Sequence, residues 1–184
     1  MNILIIISIL FVTIILFLIS VYNILVKARI LVQEAWSGIG SYLQQRNDVI
    51  PNMVEIVKGY AGHENKTLIE VTKWRNKSAM ATTPEEQNIA STALNKSLID
   101  LYQVTENYPD LKANQNFLKL QEDLAKLEQD INTSRRYYNG TVRNYNQQKA
   151  VFPKNIIASM FGFKDESFFQ EDSASHTAPK ISFS

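Results

Sequence analysis

Residues 46–64 read RNDVIPNMVEIVKGYAGHE, and this stretch decides how the longest helix of the chain is built. Its apolar residues continue a row with intervals of three and four that begins before it, and Arg46 is the only polar interruption of that row. A proline inside a helix, here Pro51, removes one backbone hydrogen bond and crowds the carbonyl four residues earlier, that of Asn47. Because the spacing is unchanged across the proline, we expect a bent continuous helix, or a restart with Asp48 as N-cap, instead of a loop.

The end of this stretch contains two patterns that also occur in functional sites. Gly59 and Gly62 form a GxxG, which occurs in an RNA-binding loop, but that module needs flanking strands that this sequence lacks. A glycine just past the last periodic residue predicts instead that the helix ends near residue 61. His63 precedes Glu64, yet a zinc helix of the H-E-x-x-H type needs a second histidine where this chain has threonine. No metal ion or other cofactor is expected.

Beyond residue 64 the same spacing of apolar residues predicts three further long helices. These long helices and one short helix are expected over residues 65–80, 84–108, 111–145 and 155–161. Thr83 provides an N-cap hydroxyl just before Pro84 in the first helical position. Outside the apolar N-terminal run, no segment shows the period of two that a strand requires. The predicted fold is all-α, with an N-terminal transmembrane helix followed by an antiparallel bundle of three to four long helices.

Residues 3–21, ILIIISILFVTIILFLISV, are apolar apart from two serines and a threonine, and no charged side chain precedes Lys27. A helix of this length covers about 28 Å, close to the thickness of the hydrocarbon core of a membrane. A cleaved signal peptide is the alternative, but its basic start and small-residue cleavage site are missing. Since Lys27 and Arg29 follow the run, the short N-terminus is expected outside and the rest of the chain in the cytoplasm.

These features divide the chain into three predicted parts. They are a transmembrane anchor over residues 1–26, a helical-bundle domain over 27–163 and a mostly disordered tail over 164–184, since the end of the chain is polar and rich in small residues. Phenylalanines are concentrated between residues 161 and 169. We expect them to close one end of the bundle, and a docking patch or a membrane-surface contact is the alternative.

Charge and motif content argue against several classes of function. The chain has 19 Lys and Arg against 18 Asp and Glu, without a basic cluster, so no nucleic-acid surface is predicted. It has no cysteine, no nucleophile motif and no phosphate-binding loop. We therefore predict neither a small-molecule substrate nor enzymatic activity. The acidic pairs at 85–86 and 122–123 leave open an enzyme that uses carboxylates across the bundle.

Several blocks of the sequence resemble the LemA family in their order and spacing. They cover nearly everything from Tyr22 to Phe169 and are YNILVKAR at 22–29, EAW at 34–36, RNDVIPNMVEIVKGYAGHE at 46–64, NYPDLKANQNFLKLQEDLAKLEQDI at 107–131, SRRYYNGTVRNYN at 134–146, FPKNIIASMFGF at 152–163 and FF at 168–169. The resemblance implies a bacterial single-pass protein of the inner (cytoplasmic) membrane with a helical bundle, and it implies no catalytic residues. It implies shared polar contacts, either internal or at an interface, for Asn23, Arg46, Pro51, Asn52, Glu64, Arg135 and Asn139.

The first helix also has apolar residues away from its main row, among them Ile30, Val49 and Ile56. A helix that is apolar on more than one face is either central in its own bundle or shared with a neighbour. We therefore expect a scaffold or adaptor whose helices bind other helices, as a homo-oligomer or with other membrane proteins, while residues 3–21 contact membrane lipid. A carboxylate-based enzyme and a membrane-remodelling oligomer are the alternatives.

Overall fold

The structure is a computed structural model that describes residues 2–61 and 65–169. The remaining residues, and the side chains of Asn2 and Asn65, lie outside the described part. The helices are α1 (Asn2–Tyr60), α2 (Asn65–Met80), α3 (Pro84–Thr105), α4 (Pro109–Lys112), α5 (Gln115–Ala150) and α6 (Lys154–Met160). No strand occurs among the described residues, which confirms the predicted all-α fold.

α1 begins with the apolar segment, whose large side chains are exposed from residue 3 to residue 17. The hydroxyls of Ser8 and Thr13 donate to the carbonyls of Leu4 and Ile9, at 2.9 and 2.8 Å, so these polar groups are bonded within the helix. By length and composition the segment can cross a membrane, a test that a signal sequence near an N-terminus also passes.

α1 then continues through Pro51 without a break. Of the two arrangements expected at Pro51, the continuous helix is the one found. α2 and the start of α3 also have the predicted bounds, because Thr83 forms a capping box with Glu86: its hydroxyl accepts from the Glu86 backbone N–H, and the Glu86 carboxylate accepts from the Thr83 backbone N–H.

The region between α3 and α5 differs from the prediction. A single helix from residue 111 to 145 was expected, but Leu111 lies in the separate turn α4, and α5 begins at Gln115. The reason is Asn114, whose side-chain oxygen accepts from the backbone N–H groups of Asn116 and Phe117 and so caps a new helix. α5 extends to Ala150, beyond the predicted end.

The described chain forms two compact units, each of which contains part of α1 and part of α5. The N-terminal unit consists of Met1–Gly40 and Asn132–Phe168, and the bundle unit consists of Ser41–Ile131 with Phe169–Ser184, of which Phe169 is described. The predicted division instead separated residues 1–26 from a single domain over 27–163.

In the bundle unit, α1, α2, α3 and α5 run antiparallel to their neighbours in chain order. Arg46 near the start of the α1 part meets Ser78 near the end of α2, and Ser78 also meets Gln87 near the start of α3. Tyr60 at the end of α1 meets Asn114 just before α5, so α5 is antiparallel to α1 as well. The core is apolar and draws on all five helices of the unit: Ile50, Met53, Val57, Ala61, Leu68, Val71, Leu94, Leu98, Leu101, Leu111, Phe117 and Leu124.

In the N-terminal unit, α6 packs on α1. Ile157 and Ala158 of α6 are buried in one cluster with Val21 and Leu25 of α1. α6 ends in a Schellman motif: Gly162 has a φ of 68°, its N–H donates to the Ser159 carbonyl, and the N–H of the next residue donates to the Ala158 carbonyl. Glycine suits this position because a side chain is strained at positive φ.

The segment after α6 lies along α5 of the same unit. The Tyr145 and Tyr138 hydroxyls donate to the carbonyls of Lys164 and Ser167, at 2.8 and 2.9 Å. Asn146 exchanges two hydrogen bonds with the backbone of Glu166. Residues 164–168 of the predicted disordered tail are therefore held by α5, and residues 170–184 lie outside the described part.

Candidate interaction site

Polar side chains of four helices meet inside the bundle unit. We call this cluster the Arg46 polar centre; it consists of Arg46 from α1, Ser78 from α2, Gln87, Ser91 and Asn95 from α3, and Glu128 from α5. Each helix turns these residues inward because they occupy core-facing positions of an otherwise apolar row, as Ser91 does three residues before Leu94.

The guanidinium of Arg46 contacts residues from each of the other three helices of this centre. Its Nη1 donates to Glu128 Oε1 at 2.7 Å, and its Nη2 donates to the hydroxyls of Ser78 and Ser91 at 3.2 and 3.1 Å. The Gln87 amide donates to the same two hydroxyls at 2.8 and 3.0 Å. One cation thus connects all four helices through a planar group with several donors.

Asn95 completes the contacts of the carboxylate. Its amide nitrogen donates to Glu128 Oε2 at 3.2 Å, while its oxygen lies 3.5 Å from Arg46 Nη1. The Arg46 side chain is fully buried, whereas the Glu128 side chain is 25% exposed. Burial, with the Glu128 charge as a second cause, raises the pKa of Tyr102 to about 12, so that phenol is protonated at neutral pH.

The groups of the polar centre are better suited to holding the helices in register than to catalysis. The centre contains one carboxylate, which is bound to the guanidinium, and its other members are hydroxyls and amides. An ion pair whose guanidinium is fully buried restricts which faces of the helices can meet, because a shifted register leaves that charge unpaired. We expect the centre to specify the register of the bundle.

A side chain of α2 bonds the backbone carbonyl that Pro51 leaves without a donor in α1. Proline has no N–H to donate to the carbonyl of Asn47, and the Nε of Arg75 on α2 donates to that carbonyl at 2.9 Å. The backbone group that the proline leaves without its helical partner is thereby satisfied by a neighbouring helix. This contact explains how α1 tolerates a proline in its interior.

Replacing Arg75 with methionine is expected to lower the free energy of unfolding by about 1–3 kcal/mol, because the Asn47 carbonyl loses its donor. In a Pro51→Ala background the backbone N–H of residue 51 can donate to that carbonyl. Arg75→Met should therefore lower the free energy of unfolding by less in that background. A double-mutant cycle by urea unfolding of the full chain in detergent measures the difference. Equal costs in the two backgrounds would contradict this account of Arg75.

An apolar groove lies on the outer surface of the bundle unit near the turn between α2 and α3. We call it the α2–α3 groove; it has a volume of about 340 Å³ and is lined by Trp74, Lys77, Met80, Ala81, Glu86, Ile89 and Ala90. Met80 and Ile89 are 79% and 60% exposed. An exposed apolar patch with charged residues at its edge is typical of an interaction surface.

Trp74 is held in place at this groove before any partner binds. Its indole N–H donates to Glu70 at 3.0 Å, and the Lys77 ammonium lies 4.4 Å from the centre of its ring. The hydrogen bond from Lys73, with that from Trp74, lowers the pKa of Glu70, so this acceptor stays ionised at neutral pH. A fixed tryptophan loses little conformational entropy on binding, and tryptophan is enriched at the energetic centres of interfaces.

The structure places the residues expected to make shared polar contacts in different surroundings. Arg46 is buried in the polar centre, and Asn23, Pro51 and Asn52 are exposed on α1. The two candidates on α5, Arg135 and Asn139, are half-buried in the N-terminal unit and have interaction partners. The remaining candidate, Glu64, lies outside the described residues. Of these candidates, Arg46 is the one that the described residues place in the polar centre.

The acidic pairs also lie in different surroundings. Glu86 belongs to the capping box, where the Thr82 and Thr83 hydrogen bonds lower its pKa, and Glu122 and Asp123 are exposed on α5. Within residues 2–61 and 65–169, no three His, Asp or Glu side chains are grouped so as to hold a metal ion.

Five members of the polar centre, and the α2–α3 groove, are not among the residues predicted from the sequence. A signal was present, since Gln87 and Ser91 occupy the inner row of α3 with Leu94 and Leu98, where a polar residue needs a partner. The partner itself could not be read from the spacing, because Glu128 is 82 residues from Arg46.

Similarity to known proteins agrees with the resemblance seen in the sequence. The LemA family profile matches residues 35–183, so the match begins after the apolar segment and continues past Phe169, where the resemblance was expected to end. The chain is also similar to Protein LemA of Metamycoplasma hominis, with 27% identity over 143 residues. That match covers 76% of this chain and 64% of the relative, so it spans less than two thirds of the relative's length. Because the profile covers most of its residues, this chain belongs to the LemA family.

Proposed function

We propose that this protein is a single-pass scaffold of the bacterial cytoplasmic membrane that self-associates through the α2–α3 groove. Its short N-terminus lies outside, and the residues that follow the span, 27–184, lie in the cytoplasm. The exposed apolar groove beside the fixed Trp74 carries the proposal. No catalytic activity is part of it.

The proposed anchor is supported by the surface of α1. Side chains at residues 3–17 are exposed and apolar, a surface that water disfavours and the hydrocarbon core of a membrane accommodates. Lys27 and Arg29 follow the apolar segment, which favours a cytoplasmic position for the residues after it.

The choice of a second copy as the partner rests on the charges of the groove. Lys77 lies on α2 and Glu86 lies on α3, so the two helices of the groove carry opposite charges. Under a two-fold axis, the lysine of one copy can face the glutamate of the other, while Met80 and Ile89 pack across the centre. Confinement to one membrane would raise the local concentration of the copies and favour this contact.

Replacing Ile89 with glutamate is expected to weaken self-association at least tenfold, which corresponds to about 1.4 kcal/mol, because a charge would be buried in the apolar centre of the interface. The matched control is Ile99→Glu, which adds the same charge at an exposed site of the same helix, outside the groove. Sedimentation equilibrium of the full chain in a mild detergent measures the mass at several protein concentrations. A monomer at every concentration, or equal effects of the two substitutions, would overturn the proposal.

A cross-linking experiment tests the same contact in the membrane. The chain has no cysteine, so Met80→Cys and Leu118→Cys each introduce a single thiol at an exposed apolar position. A short bis-maleimide reagent should produce dimers from the Met80→Cys variant only. Dimers from both variants in equal yield would indicate random collision and count against the groove.

A further inference from the structure

The short helix α6 lies at the level where the apolar segment of α1 ends. Its inner residues Ile157 and Ala158 share a buried cluster with Val21 and Leu25, and Leu18 packs against that cluster. Leu18 belongs to the apolar segment itself. If residues 3–21 cross a membrane, α6 is therefore close to the membrane surface.

Aromatic rings from α1 and from the end of α6 pack together just after the apolar segment. The Tyr22 ring lies 4.9 Å from that of Phe161 and 5.7 Å from that of Phe163, measured between ring centres. Tyrosine is enriched where the hydrocarbon core meets the headgroups, because its ring is apolar and its hydroxyl is polar. The contacts place the end of α6 beside a residue of this kind.

Large apolar side chains are also exposed on α6 and its flanks. Phe152, Ile156 and Met160, spaced four residues apart, are 74%, 56% and 62% exposed, and Val151 and Phe161 are 60% and 56% exposed. Asn155 and Ser159 are exposed beside them, so the outer surface of α6 is amphipathic, as in helices that lie in a membrane–water interface. Five large apolar side chains in this short region form a patch that aqueous solvent does not explain.

Charged residues flank this patch in a way that suits headgroups. Lys154 begins α6 and Lys164 follows it, while Lys27 continues α1 just beyond the buried cluster. The nearby carboxylates have cationic partners within the unit, since Asp165 pairs with Lys149 and Glu166 lies 3.7 Å from Arg29. Cations beside an exposed apolar patch match the anionic phosphates above the acyl chains.

We propose that α6 is a second membrane contact, which lies in the membrane–water interface with Phe152, Ile156 and Met160 inserted among the lipids. This inference rests on the membrane anchor of the proposed function and adds a lipid-binding surface far along the sequence from the span. The contact would tie the end of α5 to the membrane as well as the start of α1. We propose lipid, and not a second protein, as the partner of this patch, because its exposed Phe161 contacts Tyr22, which directly follows the apolar segment of α1.

Depth-dependent quenching in vesicles of phosphatidylethanolamine and phosphatidylglycerol tests this inference. The full-length chain is reconstituted with one cysteine carrying an environment-sensitive dye, in the variants Met160→Cys, Phe17→Cys and Ile99→Cys. Nitroxides are attached to the lipids near the headgroup or deep in the acyl chains. We expect the Met160→Cys probe to be quenched mainly by the shallow nitroxide, the Phe17→Cys probe by the deep one and the Ile99→Cys probe by neither.

The controls separate failure of this inference from failure of the anchor. If the Phe17→Cys probe is quenched and the Met160→Cys probe is not, the anchor stands and the interfacial position of α6 is wrong. A Met160→Cys probe with a blue-shifted but unquenched emission would show that protein covers the patch, and that result also overturns the inference. If neither probe is quenched, the anchor fails and α6 loses its place at the membrane with it. Labelling at Ile156→Cys provides a second position in case one substitution perturbs the helix.

Discussion

Replacing Arg46 with methionine is expected to lower the free energy of unfolding of the bundle unit by about 3 kcal/mol, the lower end of the range for breaking a buried ion pair. The lower end applies because water reaches part of the Glu128 side chain. The substitution leaves the carboxylate without its cation, and the hydroxyls of Ser78 and Ser91 lose a donor. Arg46→Lys should also destabilise the unit, because an ammonium group cannot reproduce the planar fork that reaches three helices.

Urea unfolding of the full chain in detergent measures this effect. The chain has two tryptophans, so a Trp36→Phe background leaves Trp74 as the single reporter on α2. The control Lys96→Met removes an exposed cation from α3 and should change stability by less than about 0.5 kcal/mol. The double substitution of Arg46 and Glu128 by methionine should recover part of the loss, since no unpaired charge remains. If Arg46→Met lowers the free energy of unfolding no more than Lys96→Met does, the polar centre does not stabilise the bundle.

Replacing Phe117 with alanine is expected to cost about 3–5 kcal/mol, because removal of a buried aromatic ring loses its transfer free energy and leaves a cavity. Phe117 is 2% exposed and packs in the core cluster where α5 begins, next to its cap at Asn114. The same Trp74 reporter and denaturant series measure the change.

Leu118→Ala is the matched control for this prediction, since the neighbouring side chain on the same helix is 48% exposed. We expect it to cost less than about 1 kcal/mol, because it removes little buried surface. Comparable losses for the two substitutions would mean that the start of α5 does not contribute its inner face to the core as described.

Most of the helical framework could be predicted because the signals for helices are local. The bounds of α2 follow from apolar spacing, and the start of α3 follows from Thr83, Pro84 and Glu86, which lie within four consecutive positions. The break before α5 was not predicted, although Asn114 is a good N-cap, because residues 112–116 contain no proline or glycine to mark an interruption.

The candidate interaction surfaces could be predicted only in part. The aromatic region near residue 161 was noted, but its packing on Val21 depends on the path of the chain after α5. Met80 and Ile89 are unremarkable in sequence, since one exposed apolar residue on a helix is common. They form a surface only because the turn at Thr83 brings their two helices side by side.

Local sequence signals were sufficient to predict the class of fold, the bounds of α2, the start of α3 and the presence of a segment that can cross a membrane. These properties depend on residues within a few turns of one another, where spacing and caps act directly. The pairing of Arg46 with Glu128 and the hydrogen bond from Arg75 to the Asn47 carbonyl join residues 82 and 28 positions apart, so they follow only from the packing of the helices. Such partners are selected when apolar faces pack and leave each buried polar group to be satisfied by whichever side chain the packing brings near.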